Sequence, residues 1–299
     1  MKKVLFATTA LIATAGMAAA DVRLSGYGRF GLDYNSANER VAGRSETNIT
    51  SRLRLQFDMS TEADSGVGFN ARFRAQAESR DGTAGGAVFN GARFGVTYGG
   101  LTVNVGNIIG AVENAPGLYT TGTRSAGTGI DGMGFHSLAI KSRTGTPFNW
   151  DAYSSAGVGT NGIEALYSAG GFTGHVSYSQ RNGGVVLGTA GGEDRSGLMV
   201  TYSFSDYYVT AAAQSSSLAA NDITFVAAGG DFGAFGAKVA YGSTDAADSV
   251  TLEGNMDIGA ASNLLVWVNS TDVAGVVTAA DTADGTSFGI NYQYDLGGG

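Results

Sequence analysis

The amino-acid sequence predicts an all-β chain, a transmembrane antiparallel β-barrel. Three observations carry that prediction. Apolar and polar residues alternate strictly over segments of about ten residues or more, the chain opens with an export leader, and no apolar run after residue 20 is long enough to cross a bilayer as a helix.

The leader is read from its charge and its small residues. Lys2 and Lys3 form a basic start, Val4 to Met17 is apolar, and Ala18-Ala19-Ala20 before Asp21 matches a signal-peptide cleavage site. The apolar run is shorter than the roughly 20 residues that a helical span requires. Residues 1–20 are therefore expected to be removed, leaving 21–299 as the barrel. Without Lys2 and Lys3 the 18 basic residues fall to 16 against 26 acidic ones, a net charge of −10, which argues against nucleic acid as a partner. The absence of cysteine excludes a disulfide scaffold and a cysteine metal site, so backbone pairing and burial must hold the fold.

Each strand follows from its alternation. From Val22 to Tyr34, residues Val22, Leu24, Phe30, Leu32 and Tyr34 share one face and Arg23, Ser25, Tyr27, Arg29 and Asp33 the other. From Ile49 to Ser60, Leu53, Leu55, Phe57 and Met59 oppose Arg52, Arg54, Gln56 and Asp58. From Val67 to Glu78, Phe69, Phe73 and Ala75 oppose Asn70, Arg72, Arg74, Gln76 and Glu78. Further strands are predicted at 89–98, 101–108, 162–169, 172–180, 196–204, 207–216, 222–230, 234–243, 249–258, 263–271 and 286–295, fourteen in all. Gly99-Gly100, Gly170-Gly171, Ser205-Asp206, Phe232-Gly233 and Gly259 to Ser262 mark tight turns. Segments 35–48, 80–88, 181–195, 244–248 and 272–285 are polar and are placed outside the cell. Both prolines, Pro116 and Pro147, fall in one long connection, so no predicted ladder is interrupted.

A soluble β-sandwich or solenoid is the competing fold. A sandwich hides its apolar face in a core, whereas here the polar face is rich in arginine. Tyr98, Phe204, Tyr207, Phe235, Tyr292 and Tyr294 gather at strand ends, where a headgroup-level girdle would lie. No fixed repeat supports a solenoid.

Two features point to function. The connection at about 109–161 has no clear periodicity, and a segment of that length inside a compact barrel is expected to have a job of its own, folding inward to narrow the lumen. It carries Glu113, Asp131 and Asp151. Arginines cluster on the polar face of the first four strands, at Arg23, Arg29, Arg52, Arg54, Arg72, Arg74 and Arg93. Arg29, Arg52, Arg54, Arg72 and Arg74 facing Glu113, Asp131 and Asp151 across a constriction would create a transverse field that sorts ions and orients dipolar solutes. The plainer alternative is that the arginines satisfy a polar interior by pairing with Asp33, Asp58 and Glu78.

An enzyme is not expected. His136 and His175 are the only histidines, and neither belongs to a nucleophile or metal-ligand motif. The glycines scatter through strands and turns instead of opening a helix onto a phosphate. Three activities remain: passive diffusion of ions and small hydrophilic solutes, substrate-specific conduction, or a non-conducting barrel serving as an anchor or adhesin.

The chain resembles the general porins of alphaproteobacteria, of the Rhodobacter type, over essentially all of residues 21–299. The resemblance rests on Asp21-Val22-Arg23-Leu24-Ser25-Gly26, on Tyr167-Ser168-Ala169-Gly170 entering a strand, and on Tyr294-Asp295-Leu296-Gly297-Gly298-Gly299. It implies an outer-membrane location in lipid, a homotrimer of sixteen-stranded barrels, and a third external loop that narrows each pore. That loop would be 109–161, including Glu113-Asn114-Ala115-Pro116-Gly117. Calcium at loop carboxylates is implied by the resemblance alone, without matched ligands, and no other cofactor is expected. In the family the last turn is followed by a hairpin ending in an aromatic residue. Fourteen visible strands therefore suggest a missing final hairpin more than a fourteen-stranded closure, since an open edge in lipid leaves backbone groups unsatisfied at several kcal/mol each.

Overall fold

The structure, a computed structural model, describes residues 21–297 except 35, 41, 80–82, 120–147, 182–184, 187–188, 191, 219–220 and 274–284. The expected leader, Asp131 and His136 lie outside the described residues.

The described strands, in chain order, are β1 (Asp21–Tyr34), β2 (Thr47–Glu62), β3 (Gly68–Ser79), β4 (Val88–Phe89), β5 (Arg93–Tyr98), β6 (Leu101–Asn107), β7 (Asn161–Ala169), β8 (Phe172–Arg181), β9 (Val185–Val186), β10 (Thr189–Ala190), β11 (Glu193–Phe204), β12 (Tyr207–Ser216), β13 (Ile223–Asp231), β14 (Phe235–Ser243), β15 (Ala247–Ile258), β16 (Ser262–Val273) and β17 (Gly285–Tyr294). Fourteen of them form one antiparallel path in chain order, each long strand paired with the next. Of the two-residue strands, β4 adds to β3, and β9 and β10 pair only with each other. No ladder joins β1 to β17 among the described residues.

Burial along these strands is inverted relative to a soluble sheet. On β14 and β15 the buried positions include Lys238, Thr251 and Glu253, while Val239, Val250 and Leu252 stand exposed. A sheet that shelters its charges and presents its aliphatic side chains is stable only where the outside is hydrocarbon. The chain is thus a transmembrane antiparallel β-barrel, and the sandwich alternative fails on this inversion.

The tight turns fall where the sequence places them. Gly99 and Gly100, at φ 55° and 84°, join β5 to β6, and Gly170 and Gly171, at 56° and 85°, join β7 to β8. Both pairs adopt the left-handed region at two successive positions, as two-residue hairpin turns require. At this end Phe172, Tyr202, Phe204, Tyr207, Phe232 and Phe235 form a continuous chain of ring contacts with centroids 4.4–5.7 Å apart. Aromatic rings that belong at the headgroup level therefore mark the short-turn rim.

One predicted strand differs. The segment 89–98 is not continuous, because Asn90–Ala92 leave the ladder between β4 and β5. The long connection intrudes there: Gly91 donates its amide to the Gly157 carbonyl at 3.0 Å, and Asn90 Nδ2 donates to the Ser154 carbonyl at 2.5 Å. A period-2 pattern cannot register a partner that arrives from some sixty residues away.

Candidate functional site: inner wall and inward segment

Register turns the arginine-rich faces of the early strands into rows. Arg23 lies opposite Asp58, Asp58 opposite Arg72, and Arg72 opposite Arg93. The next rows read Ser25, Gln56, Arg74; then Tyr27, Arg54, Gln76; then Arg29, Arg52, Glu78. Most arginines therefore have an acceptor directly across from them, while Arg29 opposes Arg52 and Arg72 opposes Arg93, where cross-strand neighbours interact directly. Arg72 Nε donates to Asp58 Oδ1 and Arg52 Nη2 to Glu78 Oε1, each at 2.5 Å. Arg54 Nε donates to Gln76 at 2.7 Å, and Arg74 Nε to Gln56 at 2.8 Å. Pairing with Asp58 and Glu78 thus holds for Arg72 and Arg52. Arg74 differs in having only neutral partners, since its Nη1 donates to Ser155 Oγ at 3.0 Å and its guanidinium lies 4.7 Å over the Tyr153 ring.

The opposite arc of the wall is covered. The leg Ile108–Tyr119 and the leg Phe148–Val158 both lie against the sheltered face of the sheet. Ala111, Val112, Ala115, Leu118 and Phe148 form one apolar cluster with Met199, Ala212, Ile223, Phe225, Ala227 and Ala240 of β11 to β14. Close seating is made possible by missing side chains. A Cβ on Gly197 would come within 3.0 Å of the Ala111 Cβ, and one on Gly117, at φ 87°, within 2.6 Å of the Ala227 Cβ. As a result the inner side chains of β11 to β14 are largely buried, whereas Arg54, Arg72 and Arg74 remain only half-buried.

Wall residues of both charges hold these legs. Glu164 Oε2 on β7 accepts the amides of Ile109 at 2.9 Å and Gly110 at 3.0 Å, and Ser177 Oγ accepts that of Ala111 at 3.1 Å. Lys238 Nζ on β14 donates to the Tyr119 carbonyl at 2.6 Å while paired with Glu253 at 2.7 Å. Gln214 Nε2 donates to the Asn149 carbonyl at 2.9 Å, and Arg195 Nη1 to Asp151 Oδ1 at 3.2 Å. Arg195 also holds Glu193 through Nε and Nη2, so Asp151 joins a buried acid–base triad on β11.

The three expected loop acids therefore part company. Asp151 is bonded to Arg195 and is out of contact with the β1–β3 arginines. Glu113 Oε2 accepts from the Tyr119 hydroxyl at 2.5 Å and from Trp150 Nε1 at 2.7 Å, tying one leg to the other. Loss of water under the loop pushes both carboxyls above their ordinary values, against the lowering effect of those two donors on Glu113 and of Ser179 and Arg195 on Asp151. Asp131 lies outside the described residues. Among the described residues the loop groups that meet the arginine arc are neutral: Ser155, and Tyr153 with Arg74 at 4.7 Å and Arg93 at 5.3 Å from its ring centroid.

Sequence reasoning missed Tyr153, Glu164, Arg195 and Lys238 as fasteners. A signal for the seat was present, in the Gly and Ala residues at the sheltered positions 197, 212, 227, 240 and 247, where other strands carry charge. His175 lies buried on the sheltered side of β8, with Nε2 3.2 Å from Glu164. Among the described residues no group of three metal-ligating side chains converges.

A family model described as Gram-negative porin matches residues 7–299. A porin of Fuscovulum blasticum is 33% identical over 287 residues, covering 93% of this chain and 91% of that one. Among solved structures, a triple mutant of Rhodopseudomonas blastica porin superposes with a TM-score of 0.72 at 28% identity, covering 93% of this chain and 91% of its own. Another engineered variant of the same porin gives a TM-score of 0.70 at 29% identity, with 92% and 90% covered.

Proposed function

The chain belongs to the Gram-negative porin family, and on that premise we propose how its lumen selects what passes. As a porin it is a channel of the outer membrane. Its passage runs between the arginine arc of β1 to β5 and the inward segment within 109–161, and admits ions and small hydrophilic solutes by passive diffusion. One observation carries this reading: the inner wall of β11 to β14 is covered by the loop, while Arg54, Arg72 and Arg74 stay half-open on the other side. Solute that traverses the barrel then moves along guanidinium groups, which remain charged in confinement.

Within the proposed constriction of Arg29, Arg52, Arg54, Arg72, Arg74, Glu113, Asp131 and Asp151, the roles divide. Arg74, held by neutral partners, contributes more to the local positive potential than Arg52 and Arg72, each of which carries its own carboxylate. Glu113 and Asp151 act as fasteners. Family membership also supports a homotrimer, each chain with its own pore, and neither catalysis nor a resident cofactor forms part of the reading.

Reversal potentials in planar bilayers test it. Neutralising Arg52, Arg54, Arg72 and Arg74 together moves selectivity toward cations, and Arg74→Gln alone gives a larger share than Arg52→Gln or Arg72→Gln. Unchanged selectivity in the fourfold variant overturns the wall assignment. A barrel with no steady conductance would be an anchor, and a current that saturates and is blocked by one solute would mark a specific channel.

A further inference from the structure

The leg Ile108–Tyr119 is secured at both ends through its own backbone. Glu164 accepts two amides at its start and Lys238 donates to a carbonyl at its finish. Both wall residues are nearly inaccessible, at 1% and 4% exposure, so neither meets a passing solute. Buried charge is costly unless its hydrogen-bonding capacity is filled. Here it is filled by the loop backbone together with Asn104 at 2.8 Å, His175 and, at 3.8 Å, the Arg93 guanidinium on Glu164, and with Glu253 on Lys238.

The geometry also explains why charged groups stand there. Ile109 and Gly110 turn the chain off β6 into the lumen, and their amides find no strand partner. Gly110, at φ 86°, is buried so close to Asp151 that a Cβ would meet its carbonyl oxygen at 2.6 Å. A carboxylate accepting both amides makes charge-assisted bonds, roughly twice as strong as neutral ones. An ammonium at the carbonyl end completes the match.

We propose that Glu164 and Lys238 are positioning residues that set the aperture and steadiness of the pore from beneath the loop, without contact with solute. The inference rests on the channel reading above. It differs from the arginine assignment in predicting changes of conductance and noise without a change of ion selectivity where the charge is kept, as in Glu164→Asp.

Single-channel recordings of the purified full-length protein decide it, with E164A, E164D, E164Q and K238M beside the unmodified chain. Glu164→Gln keeps an acceptor oxygen at the same reach, whereas Glu164→Asp keeps the charge but withdraws it by one methylene. We expect E164A, E164D and K238M to spend about tenfold or more time in flickering, altered-conductance states, the weight of a lost charge-assisted bond, with E164Q, which keeps an acceptor oxygen but not the charge, intermediate, and with the reversal potential of E164D unmoved. If E164A does not assemble, E164D carries the same decision with its charge intact. Quiet currents in both E164D and K238M overturn the proposal, as does an E164D whose reversal potential shifts, because with the charge kept Glu164 would then act on the permeating ions and not through the loop. A silent unmodified protein would instead overturn the channel reading.

Discussion

The guanidinium of Arg74 sits 4.7 Å over the ring centroid of Tyr153, joining a wall residue of β3 to the returning leg of the inward segment. The same ring takes Arg93 at 5.3 Å. Two cations that would otherwise repel across neighbouring strands are thus held by one π-face donor. A double-mutant cycle of Tyr153→Leu with Arg74→Met, followed by thermal unfolding in detergent, is expected to show a coupling of about 0.5–2 kcal/mol. Strict additivity would mean that the ring only fills space.

Gly197 offers a test of the seat. A side chain there must displace either Ser177 Oγ, 2.5 Å from the position of a Cβ, or Ala111. Gly197→Val is expected to weaken loop docking by about 1–3 kcal/mol, the usual cost of overpacking. The loop is pushed toward the lumen axis, so single-channel conductance falls. Conductance equal to or above that of the unmodified channel would contradict the close approach.

Acid should tighten the loop. Glu113 has its carboxyl raised by burial above the ordinary value of 4.5, with Trp150 and Tyr119 opposing the shift. The docked loop consequently holds a proton more firmly than an undocked one. Docking is most favoured below 4.5, loses that advantage as pH rises through the raised value, and gains nothing further above it. Trp150 donates directly to this carboxyl, and the chain has only 2 Trp, so a Trp267→Phe background isolates its emission. Its fluorescence is expected to titrate with a midpoint above 4.5, and Glu113→Gln should flatten the curve. A midpoint at or below 4.5, or one that survives Glu113→Gln, would assign the transition to another group.

The outward face is open to the same kind of check. Leu252 is 56% exposed on the middle of β15, between buried Thr251 and Glu253. Leu252→Arg should cost about 2–4 kcal/mol in folding into lipid bilayers, as charge near the bilayer midplane does. The same change at the lumen-side Asn255 should cost far less. Equal costs would mean that Leu252 does not face hydrocarbon.

Much of the architecture was legible because a strand displays its environment locally. Arg52 and Leu53 are neighbours in sequence but opposites in surroundings, and period-2 alternation reports that without any long-range information. The turns at Gly99-Gly100 and Gly170-Gly171 were equally local, each a matter of two residues at positive φ. The break at Asn90–Ala92 was not legible, because its cause, Ser154 and Gly157, comes from a distant segment.

The candidate site divides along the same line. Residue types and alternation by themselves determined a membrane-spanning barrel with arginine on one arc, since hydrophobicity at every second position is a property of the chain alone. Only the tertiary structure decided that Asp151 goes to Arg195, that Glu113 goes to Tyr119 and Trp150, and that Tyr153 meets Arg74. Those pairings depend on how far an aperiodic connection reaches across a sheet before it finds a partner. That distance is set by close packing over Gly197, Ala212, Ala227 and Ala240, whose smallness acquires meaning once the strands stand side by side.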